Sequence, residues 1–234
     1  MIYKAVLFDL YDTLLYADEI GTRPDALALL AAAGIKAEDW DRAWTGTLPA
    51  SLRGETTLLE RVRIALKSAG SDDPARELTD QIAGLMYARS APRVYPDVRP
   101  ALADLRQRDY RLALVSNIAP YRMNWLAEFE LERCFDALAL SCELGALKPE
   151  PRIYLHAAKS ISVLPRECVF VGDGMHGELD GCRGLGMTAV RLDRPVREDN
   201  GPRDACYDLR IENLQELLDW LPARAGTRRK GIGS

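Results

Sequence analysis

Short apolar runs alternate with helical patterns over much of the chain, and each of these runs ends in polar residues. Near-continuous apolar strands separated by helices predict a parallel sheet that is covered on both faces. The polar residues at the strand ends would then meet at one edge of the sheet. The four runs are 5–8 before Asp9, 112–115 before Ser116 and Asn117, 168–171 before Gly172 and Asp173, and 188–192 before Asp193.

The segment 15–91 has a different pattern, because helical periodicity continues through it without a convincing strand. Its four predicted helices are 24–33, 37–44, 56–69 and 74–87. We expect an α-helical subdomain that is inserted after the first strand and lies over the strand edge as a cap. The α/β core would then comprise 1–14 and 92–222. Residues 223–234 are rich in Gly and Arg and lack periodicity, so a flexible tail is predicted there.

Composition and charge exclude several classes of function. The 234 residues carry a formal net charge of −4, which provides no basic field for nucleic acid. No apolar stretch is long enough to span a membrane, and no signal-peptide hydrophobic region precedes the first strand, so we expect a cytoplasmic protein. The 5 cysteines are scattered without a CxxC pair, which indicates reduced thiols. With only 2 histidines, a histidine-based metal cluster is not expected.

The segment Asp9-Leu10-Tyr11-Asp12-Thr13 carries the most chemical information. A buried strand that ends in an acid places that acid at the carboxyl edge of the sheet, where ligands bind in open α/β folds. An aspartate there can act as a nucleophile and form a covalent intermediate. Taken alone, however, Asp9 is equally consistent with a helix cap.

Four segments, in this order, resemble the motifs of the haloacid dehalogenase superfamily. Each is weak alone, but their order and their placement at strand ends make the resemblance specific, and it covers nearly the whole chain. The resemblance implies an α/β fold with a Rossmann-like three-layer core, a parallel sheet and an inserted helical cap of the C1 type. The segments are 8–14, Val115-Ser116-Asn117, Lys148-Pro149-Glu150-Pro151, and Val171-Gly172-Asp173-Gly174 followed by Glu178 and Gly181-Cys182-Arg183.

The resemblance also implies roles for individual side chains. Asp9 would be the nucleophile, Ser116 would bind the transferring group, and Lys148 would neutralise charge on both. Tyr11, Thr13 and Asn117 are assigned to substrate binding.

A Mg²⁺ site is implied as well, with Asp9, Asp173 and the carbonyl of Tyr11 as ligands and Glu178 in support. This agrees with the preference of Mg²⁺ for a few oxygen ligands plus waters.

Each segment has a simpler alternative if it is taken singly. Gly172-Asp173-Gly174 would be a turn, and Lys148 and Glu178 would be solvated.

Tyr11 departs from the pattern of the phosphatases in this superfamily, most of which carry a second aspartate two residues after the nucleophile. That aspartate protonates the leaving oxygen and then activates water. A free tyrosine has a pKa of about 10 and is a poor base near neutrality. Loss of a general acid–base typically costs roughly 10²- to 10⁴-fold in rate.

Tyrosine at this position is typical of the L-2-haloacid dehalogenases, which attack carbon without a metal, and Tyr154 is also similar to their pattern. Asp173, however, stands where those enzymes carry a serine, and Met175 where they carry an asparagine. Two like charges ~4 Å apart repel by about 4 kcal/mol at an effective dielectric of ~20, which disfavours an anionic 2-haloacid beside Asp9 and Asp173.

The sequence therefore favours a Mg²⁺-dependent phosphatase that acts on a small phosphorylated metabolite through an aspartyl-phosphate. The alternatives are a 2-haloacid dehalogenase-type hydrolase and a weakly active binding or regulatory protein of the same fold. No nucleic-acid or membrane partner is expected, and the oligomeric state stays open.

Four cap residues and one loop histidine have open roles. Arg42 and Arg53 could contact an anionic substrate, although a solvated arginine is the simpler interpretation of each. Trp40 and Trp44 are spaced for packing on one helix face. His176 is left out of the catalytic set because a loop histidine is more often merely exposed.

Overall fold

The computed structural model describes residues 3–19, 23–71, 74–88, 90–194 and 203–222, so the predicted tail at 223–234 lies outside the described residues. The strands are β1 Ala5–Phe8, β2 Leu15–Glu19, β3 Ser90–Val94, β4 Arg111–Ser116, β5 Ala137–Leu140, β6 Cys168–Gly172, β7 Thr188–Leu192 and β8 Leu209–Ile211. The helices are α1 Arg23–Ala32, α2 Ala37–Gly46, α3 Leu48–Leu52, α4 Leu58–Ser68, α5 Arg76–Ala88, α6 Val98–Gln107, α7 Asn124–Glu128, α8 Ser141–Leu144, α9 Pro151–Ser160, α10 Glu178–Arg183 and α11 Leu214–Trp220.

Six strands form one parallel sheet in the order β5-β4-β1-β6-β7-β8. After β1 the chain adds β4 and then β5 on one side of it, and afterwards adds β6, β7 and β8 on the other side. Ligands bind where the strand order reverses in this way, at the carboxyl ends of the strands. The reversal lies at β1, which ends directly before Asp9. The four predicted strands are confirmed, and β5 and β8 add one further strand at each edge.

The sheet is buried on both faces, because alternate residues of a strand point to opposite sides. Val6 and Phe8 belong to the apolar cluster that includes α6 and α11. Ala5 and Leu7 belong to the cluster on the other side, with α9 and α10. The predicted three-layer α/β core is therefore confirmed.

The helices of the insertion have an apolar cluster of their own, which includes Leu30, Trp40, Val62, Leu66 and Ile82. All four predicted helices are present as α1, α2, α4 and α5, and the short α3 is an addition. The start of α4 follows from its sequence: Thr57 and Glu60 form a capping box in which each side chain accepts from the backbone N–H of the other.

The expectation that the segment 15–91 contains no strand is wrong, because its two ends pair as the antiparallel strands β2 and β3. Leu15 pairs with Val94, and Pro92 lies opposite Ala17. A proline is tolerated here because each strand of a two-stranded ribbon is an edge strand. The boundaries 14/15 and 91/92 between core and cap stay a prediction. Within the described part of the chain, no helix combines the length and the apolar character needed to cross a bilayer.

Candidate active site

Three buried carboxylates meet at the carboxyl edge of the sheet. Asp9 follows β1, Asp173 follows β6, and Glu178 is the first residue of α10. One carboxylate oxygen from each lies within 4.8 Å of the others. The pairing of β1 with β6 brings the first two together, and the backbone N–H of Asp9 donates to the carbonyl of Val171 at 2.9 Å. The structure thus brings together three residues that the sequence placed in one site.

Lys148 joins this cluster from the loop before α9. Its ammonium donates to Oδ1 of Asp9 in a short contact and to Oε2 of Glu178 at 2.6 Å, and the residue is 7% exposed. The side-chain amide of Asn117 holds the lysine backbone: Nδ2 donates to the Lys148 carbonyl at 3.1 Å, and Oδ1 accepts from its N–H at 2.8 Å. Asn117, which the sequence assigned to substrate binding, therefore positions the Lys148 loop in this structure.

The cluster has an excess of negative charge, since three carboxylates face one ammonium. Burial and the charge of Asp9 raise the pKa of Asp173 to about 6. Burial, together with Asp9 and Asp173, outweighs the opposing charge of Lys148 and raises the pKa of Glu178 to about 8. Burial would lower the pKa of Lys148, but Asp9 and Glu178 more than compensate and raise it. Carboxylates crowded in this way suit a divalent cation with oxygen ligands.

Two features fix the position of Glu178, whose side chain is 2% exposed. The hydroxyl of Tyr154 donates to its backbone carbonyl at 2.9 Å, and the backbone N–H of Gly174 donates to Oε1 at 3.0 Å. Glu178 is thus a buried member of the site and not a solvated helix residue. His176 is exposed, in agreement with its omission from the catalytic set.

Two buried hydroxyls at this end of the sheet are without a hydrogen-bond partner among the described residues. Ser116, at the end of β4, and Thr13 are both fully buried. A buried polar atom without a partner is costly, so such an atom calls for an explanation. An anion bound at the end of β4 would supply an acceptor for the Ser116 hydroxyl.

Tyr11 lies beside the cluster with its ring edge-on to Trp125, at 6.1 Å between centroids. Burial raises the pKa of its phenol well above the ordinary value, against the opposing charge of Arg122. The phenol therefore stays neutral and is a poor general base. The next residue, Asp12, is exposed and has a left-handed backbone with φ 55°.

The two cap arginines that the sequence singled out have different environments. Arg42 is exposed and pairs with Asp39 at 3.2 Å within α2. Arg53 crosses to the core, where it donates to the Gly145 carbonyl at 2.9 Å and pairs with Glu150 in a short contact. The expected packing of the two tryptophans is confirmed, since the rings of Trp40 and Trp44 stack at 5.5 Å.

Two further arginines at the cap–core boundary were not identified from the sequence. Arg61 is 3% exposed and donates to the Tyr121 hydroxyl at 2.6 Å, while its guanidinium lies 3.6 Å from the Trp44 ring centroid. Arg122 donates to the Met86 carbonyl at 2.9 Å. Arg61 had a signal, because it lies on the buried face of α4, next to Val62 and four residues before Ala65. Arg122 ends a 3-10 helix of three residues, Pro120–Arg122, which is too short to have a periodic signal.

Comparison with known proteins identifies the family. Residues 3–186 match the haloacid dehalogenase-like hydrolases. The chain is 29% identical to a glyceraldehyde 3-phosphate phosphatase of Methanopyrus kandleri, over 92% of this chain and 96% of that protein. It is 30% identical to (S)-2-haloacid dehalogenase 4A of Burkholderia cepacia, over 92% and 93%. The crystal structure of a HAD phosphatase from Thermococcus onnurineus is 27% identical, with a TM-score of 0.63, over 94% of this chain and 99% of that one.

The protein belongs to the haloacid dehalogenase-like hydrolase family. The predicted superfamily and the prediction of a hydrolase are therefore confirmed. Both phosphatases and a dehalogenase are among the similar proteins, so the family alone does not fix the bond that is broken.

Proposed function

We propose that this protein is a Mg²⁺-dependent phosphatase that acts on a small phosphorylated metabolite through an aspartyl-phosphate on Asp9. The observation that carries the proposal is the buried cluster of Asp9, Asp173 and Glu178. Three carboxylates with one ammonium leave a net negative site, which repels a substrate anion unless a cation is bound. The phosphatases among the similar proteins support the same reaction class.

The residues present fit the metal. Asp9 and Asp173 would hold Mg²⁺ together with the carbonyl of Tyr11, and Glu178 would support it. When bound, Mg²⁺ supplies charge neutralisation between the nucleophile and the phosphate oxygens. Burial and, to a smaller extent, the neighbouring carboxylates raise the pKa values of Asp173 and Glu178 to about 6 and about 8, so a bound cation would offset part of this cost.

The reaction has two steps on the residues of this chain. A carboxylate oxygen of Asp9 forms a bond to phosphorus, and the ester P–O bond breaks. The leaving group departs as an alkoxide or aryloxide and takes its proton from solvent water. Water then attacks the aspartyl-phosphate, which releases inorganic phosphate and restores Asp9. Ser116 would donate its unpaired hydroxyl to the phosphate, and Lys148 would neutralise the charge on phosphate and nucleophile. Phosphoryl transfer needs mainly such positioning and neutralisation.

A 2-haloacid dehalogenase is the second candidate, because Tyr11, Tyr154 and the 30% identical dehalogenase favour it. In this structure the Tyr154 hydroxyl is bonded to the carbonyl of Glu178. Asp173 is the main argument against this candidate, since its carboxylate lies in the same cluster as Asp9. A binding or regulatory protein with little catalysis is a third candidate, and the retention of Asp9, Lys148 and Asp173 argues against it.

The test is a panel of phosphate esters and 2-haloacids, each assayed with Mg²⁺ and with EDTA. Inorganic phosphate released only with the metal is the expected result. Halide released in EDTA would establish the dehalogenase instead. A folded protein that releases neither product would leave the binding protein as the function.

A further inference from the structure

The cap contacts the core at the two loops that carry Lys148 and Ser116. Both contacts come from a short stretch of the cap, Leu52 to Gly54, at the end of α3. This stretch follows α2, which carries the exposed Arg42. Glu150, the core partner of the first contact, lies two residues after Lys148, and Ser141, the core partner of the second, is hydrogen-bonded to Ile118, two residues after Ser116.

The first contact joins Arg53 to the Lys148 loop. The guanidinium pairs with the carboxylate of Glu150 and donates to the Gly145 carbonyl at 2.9 Å. Glu150 follows Lys148-Pro149 directly, and its N–H donates to the Leu147 carbonyl at 2.7 Å. The cap therefore contacts this loop at Glu150, two residues after Lys148, whose ammonium contacts Asp9.

The second contact joins Leu52 to the Ser116 loop through Ser141. The buried Ser141 hydroxyl donates to the Leu52 carbonyl at 2.7 Å and accepts from the N–H of Ile118 at 2.9 Å. Ile118 is two residues after Ser116 and next to Asn117, whose amide holds Lys148. One hydroxyl thus links the cap backbone to the loop that follows the Ser116 strand.

Gly54 makes this approach possible. Its φ of +77° is in the left-handed region, and a Cβ there would lie 2.1 Å from the carbonyl oxygen of Cys142. Only glycine meets both demands without a shift of backbone. The cap is therefore built for close contact with the core at this point.

We propose that Arg53 and Ser141 are positioning residues, which make the geometry of Lys148 and Ser116 depend on cap docking. When the cap is docked, Glu150 and Ile118 are held and the two catalytic loops keep their placement. When the cap leaves, both loops lose a partner at once. Turnover would then depend on the docked position of the cap. The inference rests on the proposed function and explains Arg53 without a contact to substrate.

A charge exchange distinguishes positioning from substrate binding. Arg53→Glu and Glu150→Arg are each expected to lower kcat for an aryl phosphate on the order of tenfold, with a smaller change in KM. The double variant Arg53→Glu/Glu150→Arg restores opposite charges and is expected to recover kcat to within about threefold. Arg42→Glu is the matched control, because Arg42 pairs with Asp39 on the same cap helix. This variant is expected to keep the wild-type rate.

Hydrogen exchange gives a second readout that does not depend on phosphatase activity. Arg53→Glu is expected to raise amide exchange in segments 116–119 and 147–150, and the double variant to reverse the change. Ser141→Ala is expected to raise exchange in 116–119 and to lower kcat several-fold. The melting temperatures of the Arg53 and Glu150 variants should change little, because partly exposed ion pairs contribute little to stability.

The inference is overturned if the double variant recovers neither kcat nor protection, or if Arg42→Glu loses as much activity as Arg53→Glu. An unchanged rate and unchanged exchange in Ser141→Ala would remove Ser141 from it. If the wild type releases no phosphate from any ester, the proposed function fails separately. The exchange experiment then still decides whether cap docking controls the two loops.

Discussion

Gly172 lies directly beneath the carboxylate of Glu178, so that a methyl group on Gly172 would meet Oε1 at 2.0 Å and Cδ at 2.7 Å. Glu178 is buried and bonded to Lys148, and it has no flexible end that could move into solvent. The last residue of β6 thus determines where the carboxylate of Glu178 can lie.

Gly172→Ala is therefore expected to displace Glu178 and to weaken both Mg²⁺ binding and turnover, roughly 10- to 100-fold. Gly84→Ala is the matched control, because Gly84 lies in α5 with nothing within 4 Å of a Cβ there. That change should stabilise the protein by about 0.5–1 kcal/mol and leave activity unchanged. Calorimetric Mg²⁺ titration and steady-state kinetics measure both. Equal Mg²⁺ affinity in Gly172→Ala and wild type would mean that Glu178 does not support the metal.

Asp173→Asn is expected to abolish measurable Mg²⁺ binding in a calorimetric titration. The metal-free variant should nevertheless melt at a higher temperature than the wild type at neutral pH. The reason is that the pKa of Asp173, raised to about 6, disfavours its ionised form in the folded protein. This penalty applies above that pKa and disappears as the pH falls below its ordinary value. Unchanged Mg²⁺ affinity would disprove the metal assignment.

Asp9→Asn should abolish turnover and leave the fold intact. Asparagine keeps the shape of the side chain and retains one oxygen for the contact with Lys148, but it is not a nucleophile. Circular dichroism checks the fold, and mass spectrometry checks that the amide has not hydrolysed back to aspartate. Activity well above background in an intact Asp9→Asn sample would contradict the covalent mechanism.

Tyr11 predicts a preference for activated substrates. Without a carboxylate two residues after Asp9, leaving groups of low pKa, as in aryl and acyl phosphates, should react far better than alkoxides. Tyr11→Asp should raise activity on alkyl phosphates more than on aryl phosphates, up to the roughly 10²-fold that general acid–base catalysis supplies. Equal rates for both ester classes in the wild type, with no change in Tyr11→Asp, would show that another group acts as the acid–base.

The protonation state of Tyr11 gives a separate test. Burial raises the pKa of its phenol, so the phenol stays protonated through its ordinary titration range near pH ~10. Tyr11→Phe should consequently leave the alkaline limb of the pH–rate profile at the same pH, whatever it does to the rate. A shift of that limb in Tyr11→Phe would show that the phenol ionises during turnover.

The strand-end residues could be predicted from the sequence because apolar runs fix where each strand stops. Asp9, Ser116 and Asp173 each follow such a run, and parallel pairing then brings them to one edge. The edge strand β8 is only three residues long and carries little periodic signal. β2 and β3 were missed because Pro92 lies within the latter, and a proline usually argues against a strand.

The cap–core contacts could not be predicted, because they join residues far apart in sequence. Arg53 meets Glu150 97 residues later, and Ser141 meets Leu52 across 89 residues. A single arginine or serine has no periodicity that would reveal such a partner. The role of Asn117 could not be predicted either, since its amide binds the backbone of Lys148, 31 residues away. Backbone groups are the same at nearly every position, so the sequence does not indicate which of them a side chain binds.

The central position of β1 in the sheet determines when the sheet can form during synthesis. β1 is synthesised well before its two neighbours, which begin at Arg111 and Cys168. The insertion helices contact one another within 23–88, so they can fold on the ribosome before the sheet exists. Parallel pairing across such separations waits for loop closure and is slow. A nascent chain therefore contains Asp9 long before the cluster of Asp9, Asp173 and Glu178 can form, which requires that synthesis has passed Glu178.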